Sequence, residues 1–276
     1  MTLLHALLLG IIQGLTEFIP VSSTAHLLIG QQLFGIPADE AMFSFLVIVQ
    51  LGTLASLFAF YWKDLLTVLS SAIQVAGSVL TKPRETWNLK PEALLGYYII
   101  LATLPALLAG YLLRDNVAEL FKRPMLEASI RLFVSAVLLA LAEWLTKKDR
   151  TLNSVTWFDA LFIGIVQIIS IYPGASRSGT TISGGMFRGL DRPSAARFAF
   201  LMSIPVMLAA GGYEMLDVLK MPNLGEFLPL LVAGFVTAAL VGWVAIKWLI
   251  NYLSTRSLYI FSAYCAALGV IIFVLR

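Results

Sequence analysis

The sequence is poor in charge. Asp, Glu, Lys and Arg make up 13 % of its 276 residues, against about 25 % in ordinary soluble domains. It has one cysteine, Cys265, and two histidines. A lone thiol excludes a disulfide-stapled secreted fold, and two histidines with one cysteine leave no zinc-type spacing. Net charge is only +3 and no basic run is long, which argues against nucleic-acid binding. Walker and Rossmann glycine patterns are missing, so nucleotide machinery is not expected. What is plentiful is hydrocarbon: 59 % of residues are hydrophobic and the mean hydropathy is +0.87. Too little polar surface remains to cover a soluble core. The composition predicts one all-α polytopic membrane domain. The start, Met-Thr-Leu-Leu-His, lacks the basic n-region and small-residue cleavage site of a signal peptide, so the first segment is expected to belong to the mature fold.

A transmembrane helix needs roughly 20 mostly apolar residues. Six segments qualify, at about 42–62, 94–113, 127–146, 196–213, 228–250 and 257–275. Residues 65–80 read as a short or surface-lying helix. Two more apolar stretches are broken by polar residues. Residues 3–30 contain Glu17, Pro20, Ser22, Ser23, Thr24 and His26, and 158–189 contain Pro173, Gly174, Ser176, Arg177, Ser178, Thr180 and Thr181. Polar irregular backbone survives at membrane depth only where protein buries it or water reaches it. Both stretches therefore read as re-entrant helical hairpins.

The hairpins resemble each other. Leu8–Gln13 aligns with Phe162–Gln167 at an offset of 154 residues, and Ala41–Leu46 with Ala196–Leu201 at 155. The chain reads as two repeats, about 1–150 and 157–276. With six crossings and two hairpins, parity makes the repeats inverted, and function is then expected near the midplane at their interface. Twelve Lys/Arg, among them Lys63, Lys148, Arg150, Arg188, Arg192 and Arg256, fall on one face. Five fall on the other: Arg114, Lys122, Arg123, Lys220 and Arg276. The positive-inside rule makes the first face cytoplasmic and turns the mouth of the first hairpin outward.

Ionisable groups at membrane depth are costly and mark function. Gln13 and Glu17 are four residues apart and Ser23 and His26 three apart, so each pair shares a helix face. Pro20 is placed to end one helix and begin the next. The second break supplies Arg177, whose planar fork suits phosphate oxygens, among serine and threonine hydroxyls at a helix N-terminus. Glu17 with Gln13 offers hard oxygen ligands for Mg²⁺ or Ca²⁺. A Ser–His pair supplies a nucleophile or a proton donor. A membrane-embedded phosphate site without nucleotide machinery points to a lipid phosphate. Elsewhere, Arg131 near the start of a span is expected to snorkel, Glu143 to pair with Lys147, and His5 to sit at the interface. Trp62, Trp144, Trp157 and Trp243 suit an aromatic belt.

At these residues the sequence resembles the bacterial undecaprenyl-diphosphate phosphatases of the bacitracin-resistance type. Gln13 through His26 matches that family's (Glu/Gln)-x-x-x-Glu motif and its following Pro-Val-Ser-Ser-Thr-x-His run, and Pro173 through Thr181 matches Pro-Gly-x-Ser-Arg-Ser-x-x-Thr. The resemblance implies a bacterial inner-membrane hydrolase that converts undecaprenyl diphosphate to undecaprenyl phosphate, recycling the carrier lipid for peptidoglycan. It also implies two re-entrant hairpins, a site open to the outer face, a divalent cation and a homodimer. By matching position, Glu17 and Gln13 would hold the metal, Ser23 would be the nucleophile and His26 its proton-transfer partner. Arg177 would grip phosphate, supported by Ser176, Ser178 and Thr181. Two departures stand out: Gln13 is a weaker metal ligand than Glu, and Ala25 stands where Gly is common. A transporter that flips a lipid phosphate, with or without hydrolysing it, is the rival expectation, since inverted repeats with broken helices also build transporters.

Overall fold

Apolar runs with few breaks dictate helices, and helices are what form. The computed structural model describes residues 1–81, 91–120, 124–171, 175–220 and 223–275, with side chains described outside 71–93 and 114–123. Among the described residues ten α-helices follow in order: α1 (Leu3–Phe18), α2 (Ser23–Leu33), α3 (Glu40–Thr81), α4 (Pro91–Leu120), α5 (Pro124–Leu145), α6 (Trp157–Gln167), α7 (Arg177–Phe187), α8 (Arg192–Val218), α9 (Leu224–Leu253) and α10 (Tyr259–Leu275). No strand occurs among the described residues. Among the described residues five helices, α3, α4, α5, α8 and α9, are long and apolar enough to cross a membrane. The expected sixth span forms α10, but its 17 residues rise only about 25 Å, short of a ~30 Å hydrocarbon core. The stretch expected as a separate helix at 65–80 is the continuation of α3 beyond a kink at Tyr61.

Both broken stretches fold as short helix, break, short helix. In the first, α1 stops at Phe18 because Pro20 disfavours helical geometry at Ile19, which is extended (φ −62°, ψ 130°). Pro20 begins no helix. Ser22 caps α2 instead, with its hydroxyl accepting from the Ala25 N–H at 3.4 Å. In the second, a 3-10 turn (Ile168–Ser170) follows α6, and Ser176 caps α7 through a 3.2 Å bond from the Gly179 N–H. Pro173 and Gly174 lie outside the described residues.

The helix pairings come in matched sets. α1 packs on α9 as α6 packs on α4; α3 packs on α9 as α8 packs on α4; α5 lies against α10 and α3 against α8. Two glycines 154 residues apart permit the first match. A Cβ at Gly10 would fall 2.9 Å from the Gly234 carbonyl oxygen, and one at Gly164 would collide with the Ala102 carbonyl. Small residues at these crossings let helix backbones approach closely, as membrane packing requires.

Away from the two breaks, Asp159 and Glu143 are buried acids held by arginines. Asp159, the N3 residue of the Thr156-capped α6, takes Arg150 at 2.6 Å and Arg188 at 2.7 Å. The Asp159 carboxylate pushes the Arg150 guanidinium further above its already high range. Glu143 accepts two bonds from Arg192 (2.6 and 2.7 Å) and one from the Leu258 N–H (2.8 Å), with Lys148 at 3.3 Å. Its partners are thus Arg192 and Lys148 rather than the expected Lys147, because α8 brings a better-aligned fork than its own helix does. His5 stacks on Phe34 at 5.5 Å, and Trp62, Trp144, Trp157 and Trp243 are all exposed.

Candidate active site

The two breaks face one cavity of about 360 Å³. Its polar wall comes from α1 (Gln13, Glu17), the start of α2 (Ser22, Ser23, Thr24), α5 (Arg131) and the start of α7 (Ser176, Arg177, Ser178). α3 and α8 close it with Phe43, Leu46, Val47, Gln50, Val206, Met207, Ala210 and Glu214. Ser23 and Arg177 are the first residues of α2 and α7, so two helix N-termini, each with its positive dipole end, converge on this space.

Glu17 is the hub. Its Oε2 accepts the Ser23 hydroxyl at 2.6 Å and the Gln13 side-chain amide at 3.0 Å. Its Oε1 is paired with Arg177 Nη2 across the two hairpins. Bonds to an ionised carboxylate are short and about twice as strong as neutral ones. Gln13 is itself held by Thr53 of α3, at 3.4 Å. Gln13 and Glu17 are buried and Ser23 and Arg177 are partly exposed, so the reactive atoms stand at the cavity wall rather than behind it. Ser22, just before Ser23, has φ +70°, the single positive φ outside glycine among the described residues. Such a residue is uncommon and sits where surrounding contacts over-determine it.

Ser176 and Ser178 flank Arg177 on the cavity wall. Ser176 and Ser178 hydroxyls are 3.1 Å apart, Ser178 Oγ lies 3.5 Å from the Ile19 carbonyl of the first break, and both residues are buried in the cavity wall. Two expected residues are not brought into the site. Thr181 folds its hydroxyl back onto the Arg177 carbonyl at 2.8 Å and does not line the cavity. His26 does not line it either. Its Nδ1 is 2.8 Å from the Ser22 carbonyl and its Nε2 2.7 Å from the Tyr264 hydroxyl, with the rings stacked 5.7 Å apart. A carbonyl only accepts, so Nδ1 carries a proton there, and Nε2 of the neutral ring accepts from Tyr264. The spacing of Ser23 and His26 suggested a partnership. The structure pairs Ser23 with Glu17 instead, because the break folds the end of α1 back to within hydrogen-bond reach of the start of α2.

Two charged residues on the cavity wall were not anticipated there. Arg131 does not snorkel: it is buried, 6 % exposed, paired with Glu127, and on the cavity wall. The signal was present in the sequence, since Glu127 stands four residues earlier in the same span. Glu214 also lines the cavity. It fell one residue past the expected end of its span, whereas α8 runs on to Val218. Tyr264, the partner of His26, sits in a uniformly apolar helix and carries no local signal.

A divalent cation fits the donor set. The residues lining the cavity include the carboxylates Glu17 and Glu214, the amides Gln13 and Gln50 and five serines, the hard-oxygen groups such an ion takes. Among the described residues no group of three or more His, Cys, Asp or Glu could hold an ion unaided. A cation there would complete its shell with water and substrate phosphate.

The chain is similar to known proteins over nearly its whole length. Undecaprenyl-diphosphatase of Chlorobium phaeobacteroides is 41 % identical over 279 residues, covering 98 % of this chain and 95 % of that protein. Undecaprenyl-diphosphatase of Anaeromyxobacter dehalogenans is 42 % identical over 273 residues, covering 98 % and 90 %. That of Alkaliphilus metalliredigens is 39 % identical over 273 residues, covering 99 % and 98 %. Residues 6–271 match the family described as bacitracin resistance protein BacA. On that nearly full-length match, the chain belongs to the BacA bacitracin resistance family.

Proposed function

We propose that this chain hydrolyses undecaprenyl diphosphate to undecaprenyl phosphate and inorganic phosphate within the membrane, recycling the lipid carrier of peptidoglycan synthesis and so conferring bacitracin resistance. The observation that carries the reading is the Ser23–Glu17–Arg177 constellation: a hydroxyl, its proton acceptor and a phosphate-binding fork at two converging helix N-termini. Relatives named undecaprenyl-diphosphatase, matching end to end, support the same substrate.

The geometry supports a covalent route. Ser23 Oγ attacks the terminal phosphorus and its proton passes to Glu17 Oε2, 2.6 Å away. The bridging P–O bond breaks, and undecaprenyl phosphate leaves with the bond's electron pair. Water then attacks the phosphoryl-serine, releasing inorganic phosphate and returning the proton to Ser23. Arg177 exchanges its bond to Glu17 for phosphate oxygens, and the N–H groups opening α2 and α7 stabilise the developing charge. His26 acts from behind, holding the Ser22 carbonyl. Glu17 and Gln13 would hold a divalent cation, Mg²⁺ or Ca²⁺, which when bound neutralises phosphate charge. The apolar side chains of Leu27, Leu28, Phe43 and Leu46 on the same wall suit the start of a prenyl chain.

The paired helix packings and the Gly10/Gly164 correspondence support two inverted repeats of about 1–150 and 157–276. The Lys/Arg tally supports a bacterial plasma-membrane protein whose cavity opens to the periplasm. Thiols introduced near Lys220 should be labelled from outside intact cells, and those near Lys148 and Arg256 protected. The reverse pattern overturns the orientation.

The decisive test is phosphate release from undecaprenyl diphosphate by detergent-solubilised protein, with no bilayer to cross. Release proportional to protein, and lost in Ser23→Ala, is expected. Lipid movement in vesicles without phosphate release in detergent would make the protein a transporter.

A further inference from the structure

The Glu127–Arg131 pair on α5 is not explained by the chemistry above. Both residues are buried, at 3 % and 6 % exposure, inside a candidate membrane span. Arg131 sends Nε (2.9 Å) and Nη2 (2.8 Å) to the same oxygen, Glu127 Oε1. Glu127 Oε2 is buried and has no partner among the described residues. A buried ion pair gives little net stability over apolar residues of similar volume, and one that leaves an oxygen unsatisfied gives less. Stability alone is therefore a poor reason for it.

Position supplies a better one. Arg131 shares the cavity wall with Arg177, Ser23 and Glu17. The two arginines are also tied through the backbone. The Arg131 carbonyl accepts the Ser135 hydroxyl at 2.7 Å, and that hydroxyl accepts the N–H of Ser176 at 3.0 Å, one residue before Arg177. A guanidinium carries five N–H donors in a rigid fork, and orientation by Glu127 fixes that fork at the wall. One cavity thus holds two arginines, only one of which stands beside the nucleophile.

We propose that Arg131 is a specificity residue that binds the proximal, lipid-linked phosphate of the substrate while Arg177 binds the terminal one. The inference rests on the diphosphate reading of the site. The product has lost the terminal phosphate, so it engages Arg131 without Arg177 and is held less tightly than substrate. When the bridging bond breaks, the electron pair goes to the proximal phosphate, and Arg131 stabilises that charge. Glu127 is its positioning residue.

Equilibrium binding to detergent-solubilised protein tests this with two non-hydrolysable probes, farnesyl methylenediphosphonate and farnesyl phosphonate. The ratio of their dissociation constants does not depend on how much protein is folded. The unaltered chain is expected to prefer the diphosphonate by about 100-fold. The double variant Glu127→Leu with Arg131→Met removes the pair without leaving a buried charge, so it is expected to fold. Both probes carry the proximal group, so it should weaken farnesyl phosphonate by about tenfold or more and the diphosphonate by no more than that, keeping the preference or raising it. Arg177→Lys, run in parallel, touches only the terminal group and should cut the preference by about tenfold with phosphonate affinity changed less than about threefold. Unchanged phosphonate affinity in the folded double variant, or a preference that falls there as it does in Arg177→Lys, overturns the inference. If the unaltered chain binds neither probe, the diphosphate reading itself falls.

Discussion

The two hairpins share a scaffold and divide the chemistry. Each second helix has 11 residues and a serine cap whose hydroxyl accepts from the N–H three residues on. Ser23 and Arg177 occupy the same place in them, the first helical residue, 154 residues apart. At that one position the first hairpin carries a hydroxyl and the second a guanidinium, and both reach Glu17. The position 154 residues beyond Glu17 is Ile171, so the acid exists on one side only. Gln13 spends its amide on Glu17, while its counterpart Gln167, 1 % exposed, has both amide atoms without a partner among the described residues. The two breaks present converging N-termini, and the side chains at matched positions are complementary.

The sharpest way to break this division is to remove the reacting groups. Ser23→Ala should abolish turnover, a fall of about 10⁴-fold or more, while binding of a non-hydrolysable diphosphonate changes only a few-fold. Substantial residual turnover would reduce Ser23 to a hydrogen-bond donor and make water the attacking group. Glu17→Gln removes the proton acceptor, the anchor of Arg177 and the formal charge available to a cation together. It should cost about 10³-fold, against about 10-fold for Gln13→Ala. If phosphate-release rates show Gln13→Ala to be the more damaging, Glu17 is not the hub. Arg177→Lys keeps charge and loses the bidentate fork, and should lower kcat/KM by about 10²-fold, roughly 3 kcal/mol of transition-state stabilisation. A fall matching that of Ser23→Ala would mean that Arg177 does more than hold phosphate.

Much of this was legible in the sequence, for physical reasons that also mark where reading failed. Apolar run length exposed the long helices, because hydrocarbon tolerates no other backbone. Polar interruptions exposed both breaks, because nothing else puts Glu17, Ser23 or Arg177 at that depth. Hydrogen-bond direction was not legible. A spacing of three put Ser23 and His26 on one face, yet the loop between helices brought Glu17 nearer to Ser23 and left His26 for Ser22 and Tyr264. Arg131 was misjudged because its distance from a span end said nothing of what α5 packs against. Glu214 was missed because hydropathy ended its span too soon, at a polar residue that α8 carries onto the cavity wall.

The smallest expected effect tests whether the second hairpin is catalytically spare ahead of its break. Thr180 and Ser183, three apart on α7, carry buried hydroxyls without partners among the described residues, as Gln167 does in α6. A buried amide with no hydrogen bond costs roughly 1–3 kcal/mol. Gln167→Leu, close in volume, removes that cost. It should raise the thermal midpoint by a few degrees and leave phosphate release within about twofold. Gln13→Leu makes the same substitution at the matched position, but deletes a bond to the carboxylate that receives the Ser23 proton, and should lower kcat about 10-fold with little change in midpoint. The two variants therefore separate stability from catalysis at matched positions of the two hairpins. If Gln167→Leu lowers the midpoint or costs as much activity as Gln13→Leu, Gln167 is engaged by an ordered water or ion that works for the site, and the second hairpin is no passive copy of the first.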